Sequence, residues 1–235
     1  MRLAKWLSSC SARALIASGD PYWSSVVALL PMDGTNGSTT FTDIKGGTWT
    51  PTSATISTTQ SKFGGASAYF GASSQAKIVG PAFPYGSSNW TVEFFYYYTG
   101  VEPSSATFFD MTAISGGTDT VQFNSAEVIG VYLKPGGTQM SFASSPLGWT
   151  HNSWHHVAVT RNGSTVTLWC DGVSAGTMTV SGSLATSNAF WINNQNFGTT
   201  HYSTMSYIDE FRVTVGVCRY TTTFSPPTAP FPTHG

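Results

Sequence analysis

The sequence predicts an all-β sandwich, two antiparallel sheets packed face to face, and three observations lead to it. Charged residues make up only 9% of the 235-residue chain, while glycine, serine, threonine and aromatics abound; an ordinary soluble protein carries about 25% charge, so little is available to build exposed helix faces. Apolar residues recur in short runs that end at Gly, Asn, Asp or Pro, and beyond residue 21 no long 3.6-residue period appears. Two dipeptides, Asn162-Gly163 and Asp171-Gly172, interrupt alternating runs and signal tight hairpin reversals. With 40% hydrophobic and 14% aromatic residues, the chain has the apolar area needed to offset the entropy of ordering.

Residues 1–21 read as an N-terminal arm. Within it, 3–15 has helical spacing, with Leu3, Trp6, Leu7, Cys10 and Ala14 on one stripe and Arg2, Lys5, Ser9 and Arg13 towards the other side. A helix this short is marginal without packing partners. Leu3, Trp6 and Leu7 are therefore expected to anchor the arm on a neighbouring subunit. Basic residues ahead of an apolar stretch loosely imitate a leader peptide, but Ser8, Ser9, Ser11 and Arg13 break the stretch, and no cleaved signal is expected.

The body, 22–232, is expected to form strands at 25–31, 67–70, 76–79, 90–98, 107–112, 128–133, 139–143, 154–179, 190–193 and 207–215, followed by a tail at 233–235. So many short strands with little helix mean two packed sheets. Residues 91–98 are apolar or aromatic on both faces apart from Glu93, which implies a strand covered on both sides. In 154–179 a two-residue type I′ loop at Asn162-Gly163 would pair Val159 with Val166, Val157 with Leu168 and His155 with Cys170 on the core side. Thr160, Ala158 and His156 would then oppose Thr165, Thr167 and Trp169 on the other. The turn at Asp171-Gly172 adds a third strand to this meander.

Several function classes lose support. A formal net charge of -1 offers nothing for nucleic acid or an anionic membrane surface, and no apolar run approaches the length needed to cross a bilayer. Cys10, Cys170 and Cys218 are odd in number and form no CxxC pair, which points to small core residues. Glu93, Glu102, Glu127 and Glu210 are scattered, so the paired carboxylates of a glycosidase are missing. His155 and His156 fall on opposite faces of their strand, and one ion cannot easily bind both.

Five stretches in order then resemble a known family. They are Val27–Ser38 (VALLPMDGTNGS), Ser61–Phe70 (SKFGGASAYF), Trp154–Arg161 (WHHVAVTR), Cys170–Val173 (CDGV) and Tyr207–Val213 (YIDEFRV), the last continuing through Cys218-Arg219-Tyr220 to Pro226-Pro227-Thr228-Ala229-Pro230. Together they resemble laminin-G-like, concanavalin A-like jelly rolls, in particular those of tailed-bacteriophage structural proteins. The chain departs from that pattern at Phe70-Gly71-Ala72, where Phe-Asp-Gly is common, and at Asp43-Ile44-Lys45-Gly46, where Asp-Ser-Ser-Gly is usual.

The resemblance implies a non-catalytic virion protein, in tail, baseplate or head decoration, assembled in the host cytoplasm as a homo-oligomer among other virion proteins. A host-glycan-binding adhesin or carbohydrate-binding module is the alternative, and a glycosidase a remote third. Calcium wants several hard oxygens, and related jelly rolls hold it near the chain ends, which nominates Asp33, Asp43, Asp209 and Glu210. A glycan site needs an aromatic face and amides for hydroxyls, which nominates Trp191 with Asn193, Asn194, Gln195 and Asn196. On the predicted inner face, Leu168→Asp should cost about 4 kcal/mol or more, because a carboxylate would lose its water without gaining a partner. An unchanged melting temperature for that variant would sink the face assignment.

Overall fold

The structure, a computed structural model, describes residues 19–71, 73–100, 105–113, 119–185, 187–196 and 206–235. The expected anchoring residues Leu3, Trp6 and Leu7 lie outside them. Strands in the first half are β1 (Val26–Leu30), β2 (Thr50–Thr52), β3 (Ala54–Ser57), β4 (Ser67–Phe70), β5 (Lys77–Gly80), β6 (Trp90–Tyr98), β7 (Ala106–Asp110) and β8 (Thr120–Phe123). The second half supplies β9 (Ile129–Leu133), β10 (Met140–Ala143), β11 (Ser153–Asn162), β12 (Thr165–Cys170), β13 (Val173–Thr179), β14 (Phe190–Ile192) and β15 (Tyr207–Val215).

These strands build two antiparallel sheets, as predicted. One sheet has the order β13, β12, β11, β6, β15, β4, β3, with β1 also pairing β15; the other has the order β10, β9, β8, β7, β14, β5, β2. Between them, the inward residues of β6 (Trp90, Val92, Phe94, Tyr96, Tyr98) meet Phe108, Phe109, Val121, Phe123, Val131 and Phe190 in one core. Phe94 stacks on Phe211 at 5.4 Å, and Phe108 on Phe123 at the same distance. Among the described residues no helix is long and apolar enough to cross a membrane.

The hairpin differs from expectation in register. Arg161 pairs Val166 and Val159 pairs Leu168, two residues from the predicted pairing, and the loop is Gly163-Ser164. Its neighbours decide this. The Gly163 amide donates to Asn89 Oδ1 at 2.7 Å, and the Arg161 guanidinium grips the carbonyls of Gly163, Gly86 and Gly182 at 2.9 to 3.1 Å. The double positive φ of a type I′ turn occurs instead at Asp171 (48°) and Gly172 (80°). A slip of two residues leaves every side chain on its own face. Val157, Val159, Val166 and Leu168 are accordingly all fully buried in the core.

The outer face of the first sheet is closed by the C-terminal segment. Phe231 packs on Phe95, Val26 and Leu29, and Phe224 lies against His156 and Trp169. Beneath this cover Arg212 donates from Nε and Nη2 to Glu93 Oε1 at 3.0 and 2.8 Å, and from Nη1 to Asp20 Oδ2 at 2.9 Å. Arg219 adds two bonds to Asp20, and the Tyr220 hydroxyl donates to Glu93 Oε2 at 2.7 Å. Burial alone would raise the Glu93 carboxyl. The Arg212 charge, the His156 hydrogen bond and Arg219 outweigh it and hold the group well below the usual range. Removing Arg212 takes a charged partner from two buried carboxylates, leaving Glu93 with Tyr220 and His156 and Asp20 with Arg219, so Arg212→Ala should cost about 3 kcal/mol or more in urea unfolding. A loss within the scatter of surface substitutions would show the network to be dispensable.

Candidate functional site

With one sheet face covered, the described openings of the sandwich include a seam where the edge strands β10 and β13 approach each other. At one end lies a pocket of about 390 Å³ lined by residues 144–147, Trp149 and 170–175 except Gly172. Its buried members, Trp149, Cys170 and Ser144, make the floor with half-buried Leu147 and Ala175; exposed Ser145, Pro146, Asp171, Val173 and Ser174 make the rim. Val173 is 57% exposed, an unusual state for an aliphatic side chain on a strand.

The Asp171 carboxylate is fixed from behind. Its Oδ2 lies 2.7 Å from His155 Nδ1, and Oδ1 accepts the His156 amide at 2.8 Å. The His155 ring stacks on Trp149 at 4.4 Å and 7°. Trp149 is held in turn by Glu127, whose carboxylate accepts the Trp149 amide at 3.0 Å. An indole, an imidazole and a carboxylate are thus placed by bonds that leave 43% of the Asp171 side chain open to solvent.

Ser153 Oγ also lies 2.9 Å from His155 Nε2, so serine, histidine and aspartate stand in line. The wiring is that of a clamp. The hydroxyl has one hydrogen, and its shorter contact, 2.6 Å, is to the Thr150 carbonyl, which can only accept. Nε2 also approaches that carbonyl at 3.1 Å. A nucleophile would need its proton directed at the imidazole.

A second depression, about 640 Å³, lies at the other end of the seam, between half-buried Met140 and Met178, with Pro135, Thr138, Gln139, Ser141 and Ser181 around it. Between the two, the Phe142 ring covers the Gly176 backbone so closely that a Cβ there would meet it at 2.7 Å.

The expected calcium ligands do not form one set. Asp43 is buried elsewhere, accepting from the amides of Leu29, Lys45 and Gly47 and from Trp49 Nε1. Asp209 accepts from the Lys62, Phe63 and Glu210 amides, and Glu210 from the Phe231 amide. Asp33 is close enough to raise both electrostatically, and its carboxylate fills the space over Gly64, where φ is +63° and a Cβ would collide at 2.0 Å. Among the described residues no group of three or more His, Cys, Asp or Glu is arranged to hold a metal ion. Asp43 stands apart from the other three, and Asp209 and one oxygen of Glu210 already accept backbone amides, so the four nominated residues do not form a calcium cage.

The proposed glycan residues are likewise committed. Asn193, Asn194 and Gln195 are buried. Their amides bond Ala76 O, Ser74 O, Thr107 Oγ1 and Gln122 Nε2, and Asn196 donates to Ala113 O at 2.7 Å. Trp191 and Asn196 are partly open, with Lys77 Nζ 4.8 Å from the Trp191 ring centroid.

A family described as the concanavalin A-like lectin/glucanases superfamily matches residues 70–217. The chain belongs to that superfamily. Solved structures agree on the fold: the binding domain of Paraclostridial Mosquitocidal Protein 1 (11% identity, TM-score 0.63, covering 87% of this chain and 50% of that one) and the receptor-binding domain of botulinum neurotoxin type G (13%, 0.58, 81% and 47%). Domain 4 of AbnA, an extracellular arabinanase from Geobacillus stearothermophilus in complex with arabinotriose, is similar at 18% identity and TM-score 0.54, covering 83% of this chain and 94% of that domain. The chain spans about half the length of the two toxin domains. No curated protein matches.

Within this superfamily fold the seam residues were invisible to sequence reasoning for a definite reason. In the predicted register His155 faces Cys170; the observed one brings Asp171 to it, and the Asp171-Gly172 dipeptide had been read only as a turn. The buried carboxyls leave a measurable signature. Burial pushes Asp110 up to about 6, Asp209 to about 7 and Glu210 to about 8. A carboxyl raised on folding binds its proton more tightly in the folded chain, so its contribution is fullest below the ordinary range and declines as pH climbs through the raised values. Glu93, depressed, acts oppositely and is lost as pH falls. The melting temperature, with a chelator present, should peak near about pH 5 and fall towards about pH 8.5. Asp209→Asn should flatten the alkaline limb; a wild-type curve flat from pH 5 to 8.5 would refute this reading.

Proposed function

We propose that this domain binds glycans through the pocket beside Asp171 and performs no chemistry on them. The observation that carries the reading is the pocket itself: apolar Trp149, Leu147 and Ala175 line it together with Ser144, Ser145 and Ser174, with one fixed carboxylate at the rim. Sugars present apolar ring faces and rows of hydroxyls, and such a mixture of apolar surface with a few convergent polar groups is what recognises them. Superfamily membership points the same way. So do the relatives named as toxin receptor-binding domains and an arabinotriose-bound arabinanase domain.

Against catalysis stand two arrangements. Glu93, the carboxylate on β6, is sealed under the C-terminal segment and engaged by Arg212, and the Ser153 hydroxyl donates its hydrogen bond to the Thr150 carbonyl. The reading of a virion assembly protein draws no support from these relatives, so the glycan-binding alternative takes its place.

Filling the pocket provides the test. Ser174 is exposed, so Ser174→Trp should leave the melting temperature unchanged while abolishing retention on immobilised plant and bacterial polysaccharides. Retention unaffected by that substitution would move the site elsewhere; no retention of the wild type on any polysaccharide would refute the function.

A further inference from the structure

We infer that the two depressions are subsites of one groove along the β10–β13 seam, and that its ligand is an internal stretch of a neutral oligosaccharide chain. The inference rests on the glycan-binding reading and goes beyond it in naming ligand length and charge class.

Three observations lead there. β10 and β13 run in opposite directions past each other, so the first pocket takes the end of β10 and the start of β13 (Ser144, Ser174), while the second takes the start of β10 and the end of β13 (Met140, Met178). At about 3.3 Å per strand residue the two centres lie roughly 10–15 Å apart, a span that a single sugar ring cannot bridge and a trisaccharide or longer chain can. Between them the edge of the half-buried Phe142 ring abuts Gly176, so the ridge joining the depressions is apolar and not a polar barrier. A glycine at 176 is what permits this approach, since any side chain there would lift the ring.

The third observation is charge. Serine, threonine and glutamine side chains flank the groove, and among the described residues Asp171 is the one charged residue that lines either depression. Held by His155 and the His156 amide, its carboxylate can accept hydrogen bonds from ligand hydroxyls but repels a carboxylated or sulfated sugar. Among the described residues no Lys or Arg lines either depression to receive an acid group.

Ladders of arabino-, xylo- and gluco-oligosaccharides of one to six units, with oligogalacturonates as the acidic comparison, supply the test by titration calorimetry. In at least one neutral ladder the affinity should rise about tenfold or more between one and four units. Ser181→Trp, which fills the second depression from an exposed position, should reduce the longest oligosaccharide to the affinity of a disaccharide without changing the melting temperature. Equal affinity for one and six units, tighter binding of the oligogalacturonates, or indifference to Ser181→Trp would each overturn the groove while leaving glycan binding standing. Absence of binding in every ladder would overturn both.

Discussion

Everything else in this fold leans on a guanidinium buried between two carboxylates. Arg212, from β15, reaches Glu93 on the neighbouring β6 and Asp20 ahead of β1, and so ties strand, strand and N-terminal segment at one point. Taking such charges out of water costs several kcal/mol per ion, and the cost is met only because nearly every lone pair finds a partner: Arg219, Tyr220 and His156 complete the set. Two of those partners, Arg219 and Tyr220, arrive only when the C-terminal segment is laid across the sheet. The network therefore specifies not just that the face is covered but which segment covers it.

That choice distributes function. A sandwich has two broad faces and a rim, and here the face of the β6 sheet is spent on holding the chain's own tail. On the other sheet, the loop after β14 is anchored by its amides to the turn just ahead of β5 and to β7 and β8. Among the described residues, one place that keeps apolar side chains open is the rim where β10 meets β13, with half-exposed Phe142, Met140 and Met178 and exposed Val173. Edge strands carry the hazard of pairing with other chains. This one is partly shielded by the opposing sheet and by the Phe142 ring.

How much of this could be read in the sequence varied with whether the signal was local. β6 was legible because its residues are apolar on both faces, and the inner face of β11 and β12 because alternation survives any slip of two residues. β2, β3 and β8 were missed: Thr50–Thr52 carries a proline, Ala54–Ser57 and Thr120–Phe123 are short and half polar, and pairing partners decide their state. Asn162-Gly163 looked like the stronger turn, yet Arg161 and Asn89 reset it from a distance. The same non-locality hid the candidate site, since β10 and β13 are about thirty residues apart in sequence and meet only after both sheets have closed. Asn193 to Asn196 looked like ligand-binding amides because composition cannot tell an amide facing solvent from one facing a carbonyl.

The Asp20 amide donates to the His234 carbonyl at 2.7 Å, and Gly19 lies against His234 and Gly235. The two ends of the described body therefore leave it side by side. A pull applied between them does not run along the strands, where many hydrogen bonds would share the load in shear. It opens the Asp20–His234 contact and then peels the tail from the sheet one anchor at a time: Phe231, Phe224, then Tyr220. Under tension the domain behaves as a zipper whose slider sits at its termini, so its mechanical resistance is set by the grip on the tail far more than by the strength of the core.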